Sequence, residues 1–176
     1  MPVFAATFHV SAAASSLPLS LTTGLLAPAM MIAGAISEAR GRKNIMAASL
    51  GASSALMIVA ALATRWDVLL AARALAGITF AGLPAVSVAY LSEEVDPASL
   101  GLAIGLMIGG NGLGGMSGRL LTSAFGGTNG WRWALGGIAV LGLVATFVFL
   151  KTLPSSRRFV AKTVHPAVLA RTYWQQ

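Results

Sequence analysis

The stretch "GAISEARGRKN" (34–44) ends a long apolar run with a tight group of charges. Glu38, Arg40, Arg42 and Lys43 fall within six residues, and Gly34 and Gly41 frame them. From Ser16 to Ile36 no residue is charged. A helix needs about 20 apolar residues to cross the hydrocarbon core of a bilayer, and this run is long enough. The charged group then reads as the polar turn between one membrane span and the next.

Composition agrees. The chain is 56% hydrophobic and 10% charged, with a mean hydropathy of +0.79. Soluble domains carry about 25% charged residues, so this sequence is that of a membrane protein. The net charge of +7 then belongs to orientation in the bilayer. No basic patch with interleaved aromatics occurs, and nucleic acid is not an expected partner. The absence of cysteine excludes disulfides and thiolate metal sites. His9 and His165 lie outside the apolar runs, so neither a metal nor a cofactor is expected. Residues 1–15 lack the basic start and cleavage site of a signal peptide, and read as an external segment.

Five stretches have spanning length: 16–37, 45–63, 68–91, 100–125 and 133–150. Short connections make neighbouring helices antiparallel, and strict alternation is absent, so the expected fold is an all-α polytopic bundle rather than a β-barrel. Arg40, Arg42 and Lys43 share one face with Lys151, Arg157, Arg158, Lys162 and Arg171 of the basic tail 151–176. Arg65, Arg119 and Arg132 belong to the opposite face. Eight against three puts the 38–44 loop and the linker-like tail in the cytoplasm, and the N-terminus outside.

Gly34, Glu38, Arg40, Gly41, Arg42 and Lys43 together resemble the signature loop between helices two and three of the major facilitator superfamily of secondary transporters. Glu38 stands where that pattern has Asp, and Ala39 where it has a basic residue. "RALAGITFAGLPA" (73–85) is similar to the family's fourth-helix motif, with Arg73 and Gly77 at its spacing. "AYLSEE" (89–94) resembles the end of that helix, "IGGNGLGGMSGR" (108–119) the glycine-rich fifth helix, and "GWRWAL" (130–135) the opening of the sixth. The wording looks closest to the twelve-helix drug and metabolite proton-antiporter branch, although 108–119 lacks the Gly-Pro pair of the antiporter motif.

The resemblance implies that the spans match helices two to six of an N-terminal half, with the first helix and the second half outside this chain. It implies secondary transport of a small solute at the cytoplasmic (inner) membrane, proton-coupled efflux by alternating access. The bilayer, a small-molecule substrate and protons are the implied partners. It also implies a conformational latch, in which the 38–43 loop pairs with Glu93 or Glu94. The simpler alternative is that these charges only set topology. A non-autonomous fragment or subunit, inactive alone, is the alternative at the level of the whole chain.

Arg73 is the one charge well inside a span, and a buried arginine is costly, so it is a candidate for coupling or intramembrane polar contact. Asn111 is the other polar candidate. Gly105 and Gly109 stand four apart, as do Gly110, Gly114 and Gly118, and such ridges suit close helix packing. Gly77 is expected to pack in the same way. Ser117 in "GMSG" (115–118) raises an intramembrane serine protease, but no histidine or other base lies in a span, and no enzyme is expected. No Asp or Glu lies within an apolar run, so this chain alone offers no evident proton carrier.

Overall fold

The computed structural model describes residues 2–124 and 130–153. The tail cations Arg157, Arg158, Lys162 and Arg171 lie outside these residues. In chain order the helices are α1 (Pro2–Phe8), α2 (Leu17–Arg40), α3 (Arg42–Leu62), α4 (Trp66–Phe80), α5 (Gly82–Glu94), α6 (Pro97–Ala124) and α7 (Gly130–Thr152). No strand occurs among the described residues. Five helical stretches are long and apolar enough to cross a membrane: α2, α3, α4 with α5, α6, and α7. The chain is an all-α polytopic bundle.

Two local features add to the sequence reading. The third span, expected as one run over 68–91, is two helices that meet at Ala81. Pro84 supplies the cause: it has no N–H to give the Phe80 carbonyl, and its ring crowds that carbonyl. The N-terminal segment, read as external, has helical structure. It contains α1 and a 3-10 turn, Ala14–Ser16, with His9 at φ 53° where the chain leaves α1.

Helix α3 is the centre of the bundle, packed most extensively against α7 and α4. Its buried stripe is small and polar: Ser49, Ser53 and Ser54. The Ser53 and Ser54 hydroxyls donate to the Leu50 carbonyl at 3.1 and 2.7 Å, so neither buried group is left unpaired. Facing them are glycines. A Cβ on Gly142 of α7 would lie 3.1 Å from the Ser54 Cβ and collide with its hydroxyl; one on Gly82 of α5 would meet Ser49 in the same way. Helix α4 lies between α2 and α3. There Gly77 rests on the backbone of Thr22, where a Cβ would stand 2.9 Å from the Thr22 Cα. Lipid offers no hydrophobic drive for helix association, so close backbone approach of this kind carries it instead.

Helix α6 is the exception to this close packing. None of its residues is buried. Gly105, Gly109, Gly110 and Gly114, read as a packing ridge, have no described atom within 4 Å of a Cβ built on them. The reason is the position of α6 at the rim of the bundle. It borders α5 and α7, its neighbours in the chain, and its glycine ridge faces neither of them closely. Gly118 alone of that set meets a side chain, Ile138 Cδ1, at 3.9 Å. Leu102, Leu106, Leu113 and Leu120 are each more than 60% exposed, which only an apolar surrounding or further protein would tolerate.

Candidate functional site

The signature loop is built by the way α2 stops and α3 starts. Gly41 ends α2 at φ 90°, a backbone region closed to most side chains, and its amide donates to the Ser37 carbonyl at 3.2 Å. Only one residue separates the two helices, so Arg42 opens α3 beside the end of α2. Arg40 sits in the last turn of α2, where a cation suits the exposed carbonyls of a helix C-terminus.

Arg42 reaches across the bundle end to α5. Its Nε donates to Glu93 Oε2 at 2.7 Å and its Nη2 to Glu93 Oε1 at 2.5 Å. This is a bidentate fork, the strongest common form of a charge-assisted hydrogen bond. The two side chains are 13% and 31% exposed, so water screens the pair only in part. Arg42 Nη1 donates to Ser37 Oγ at 3.2 Å, and Ser37 in turn donates to the Gly34 carbonyl at 2.7 Å. Glu38, half-buried on the last turn of α2, adds a weaker attraction for Arg42.

Lys43 turns the other way, to α7. Its ammonium donates to the Leu150 carbonyl at 3.2 Å and to the Leu153 carbonyl, at the end of α7. Consecutive basic residues therefore tie the α2–α3 turn to the last turns of α5 and α7 at once. Of the two carboxylates expected to meet the loop, Glu93 is the one that grips Arg42. Glu94 is half-buried on the same turn.

The opposite end of the bundle is aromatic. Phe4 and Phe8 of α1 pack edge-on or tilted against Trp66 of α4 and Trp131 of α7, with centroids 5.1 to 6.5 Å apart. Arg132 lies over the Trp131 ring at 4.6 Å and donates to the Ala61 carbonyl at 3.1 Å. Trp131 Nε1 is buried with no hydrogen-bond partner among the described residues. A cavity of about 1060 Å³ near this end lies between α3, α6 and α7, walled by groups such as Ile58, Leu121, Trp133 and Val140.

Arg73 is half-buried in the middle of α4 and donates from Nη1 to the Met57 sulfur at 3.1 Å. Its carbonyl accepts from Thr22 Oγ1 at 3.0 Å, at the same crossing that Gly77 permits. A thioether is a weak acceptor, so this cation is held far less firmly than Arg42. Asn111 is exposed on α6, on the same unpacked helix as Gly105, Gly109, Gly110 and Gly114. The structure brings none of these five to the Arg42 site. The Ser117 hydroxyl donates to the Leu113 carbonyl at 2.8 Å, a helical back-bond. Gly142, the serine stripe of α3 and Ser37 are the residues that the sequence reading did not single out. A signal existed for the stripe, since Ser49 and Ser53 are four apart among alanines.

The model of the Major Facilitator Superfamily matches residues 1–175. The chain belongs to that superfamily. It is 42% identical over 162 residues to an uncharacterized MFS-type transporter, YybF, of Bacillus subtilis, covering 92% of this chain and 40% of the relative. It is 37% identical to the inner membrane transport protein YnfM of Escherichia coli, covering 99% of this chain and 43% of that protein. A chloramphenicol resistance protein of Streptomyces lividans is 29% identical, over 87% of this chain and 39% of its own length. The chain spans about two fifths of the length of these curated relatives. As a major facilitator chain with five apolar spanning helices it is a multi-pass membrane protein.

Proposed function

We propose that this chain is the latch-bearing part of a transporter that moves a small solute across the inner membrane by alternating access, and that the solute is exported at the expense of the proton gradient. The observation that carries the reading is the bidentate Arg42–Glu93 contact, which ties the α2–α3 turn to the end of α5. Such a contact favours one arrangement of the helix ends and is lost when they part, which is what a two-state carrier requires. In this reading the N-terminus is external and the Arg42 end cytoplasmic, following the distribution of Lys and Arg. Arg73, weakly held on Met57, is the coupling cation, and Asn111 an intramembrane polar contact.

The name of the Streptomyces lividans relative suggests the first solute to try. Cells expressing the gene in its native sequence context should accumulate less labelled chloramphenicol than cells without it, and a protonophore should abolish the difference. Equal accumulation across a panel of amphenicols and other amphipathic drugs would remove export of such compounds. In cells that do export, Glu93→Gln should change the rate at unchanged protein level; an unchanged rate would remove the latch.

A second reading is favoured by α6, which has no buried residue. The chain would act only with further protein laid against that helix and its ridge of Gly105, Gly109, Gly110 and Gly114. Intact mass and cross-linking in native membranes test it; a species running alone at 17.9 kDa with transport activity would overturn it.

A further inference from the structure

We propose that Ser37 is a positioning residue for the latch: its hydroxyl holds the Arg42 guanidinium in the plane that Glu93 requires. The proposal rests on the latch reading above and adds to it a residue outside the signature pattern of glycines and charges.

The chemistry follows from counting protons. A serine hydroxyl has one hydrogen to give and two lone pairs to offer. Ser37 is fully buried, and its hydrogen goes to the Gly34 carbonyl at 2.7 Å. Its oxygen can therefore only accept, and the donor that reaches it is Arg42 Nη1 at 3.2 Å. Arg42 presents three nitrogens; Nε and Nη2 are given to Glu93 and Nη1 to Ser37. The guanidinium is planar and rigid, so fixing Nη1 fixes the direction in which the other two point. Ser37 is itself fixed twice, through its hydroxyl to Gly34 and through its carbonyl, which accepts from the Gly41 amide at 3.2 Å. The contact thus runs from a rigid turn of α2 through Arg42 to α5. When Glu93 leaves, Ser37 remains, and Arg42 stays aimed at the place to which the carboxylate returns.

A role of this kind has a remote readout. The Val95 amide donates to the Leu91 carbonyl at 2.9 Å, just past Glu93, and Ser37 reaches that turn through Arg42. Hydrogen exchange at Val95 would be followed in the full chain reconstituted in lipid nanodiscs. Ser37→Ala should speed it about fivefold, the scale of one hydrogen bond made to a charged group in a partly screened site. Ser37→Thr, which keeps the hydroxyl, should stay within about twofold of the parent. In a Glu93→Gln background Ser37→Ala should add less than about twofold, because the fork that it aims is already lost.

Unchanged exchange at Val95 in Ser37→Ala, with Glu93→Gln still accelerating it, would overturn the positioning role and leave the latch standing. An undiminished Ser37→Ala effect in the Glu93→Gln background would also overturn it, since Ser37 would then act through packing. No acceleration by Glu93→Gln itself would remove the latch contact, and the positioning role with it.

Discussion

The two ends of the bundle are closed by different physics. At the Arg42 end, three helices are joined by ionic and polar contacts: a fork to Glu93 on α5 and an ammonium on the last carbonyls of α7. At the Trp131 end, α1, α4 and α7 are joined by rings packed edge-on or tilted, with Arg132 laid over the indole. A fork is directional and is forfeited once its atoms separate beyond hydrogen-bonding distance, whereas a ring cluster loses contact gradually as it slides. In the proposed carrier the first would serve as a switch contact and the second as a clasp. Their placement at opposite ends would let one open without requiring the other to.

That contrast can be broken by mutation, and the largest effect is expected at the clasp. Trp131→Ala removes a ring that touches Phe4, Phe8 and Arg132, and should cost about 3 kcal/mol in steric-trapping or denaturant measurements in lipid mimetics. Trp131→Phe should cost under about 1 kcal/mol, because it keeps most of the rings' contact and deletes an N–H that has no described partner. A loss as large as that of the alanine variant would mean that the indole N–H is satisfied after all. Glu93→Gln leaves Arg42 half-buried beside a neutral acceptor and should cost about 2 kcal/mol, reduced from the fully buried case by the 31% exposure of Glu93. The distinguishing sign is salt: raising ionic strength should shrink the Glu93→Gln effect and leave the Trp131→Ala effect unchanged. Phe8→Ala comes next, at about 1.5 kcal/mol, and should free α1 for proteolysis while the Arg42 end keeps its hydrogen exchange pattern. Smallest is the coupling between ends. The combined Glu93→Gln, Trp131→Ala variant should match the sum of the single changes within about 0.5 kcal/mol. A larger coupling would mean that α7 transmits strain from one end to the other.

Much of this was legible in the sequence, for reasons that can be named. The five spans are dictated by the length of chain a bilayer demands, and no tertiary detail can override that. The tight turn at Gly41 was legible from its glycine, although the sequence placed a seven-residue loop, 38–44, where the helices leave only Gly41 between them. The choice between Glu93 and Glu94 was not. Adjacent helical residues point about 100° apart, and which of the two directions faces Arg42 depends on how α5 lies against α3, which spacing along the chain does not give. The α1 clasp was invisible because seven residues carry no periodicity, and its partners, Trp66 and Trp131, are distant in sequence. Glycine spacing is instructive in another way. The regular ridge of Gly105, Gly109, Gly110 and Gly114 on α6 meets nothing among the described residues, while Gly142, with no conspicuous spacing, closely approaches α3. Spacing says which glycines share a face, and only packing says which face is used.

In the proposed carrier, a pivot at Ala81, where Pro84 deletes one helical hydrogen bond, would make α5 a lever arm. From Ala81 to Glu93 is twelve residues, about 18 Å of rigid rod at 1.5 Å per residue. A tilt of about 5° at the joint carries the far tip about 1.6 Å sideways, enough to stretch the 2.5 and 2.7 Å contacts with Arg42 past the range of a hydrogen bond. Helix α4, seated on Thr22 through Gly77, need not move at all. In the proposed carrier, one imino acid at position 84 would thus gear a small angular change within the span to the making and breaking of an ionic contact at its end.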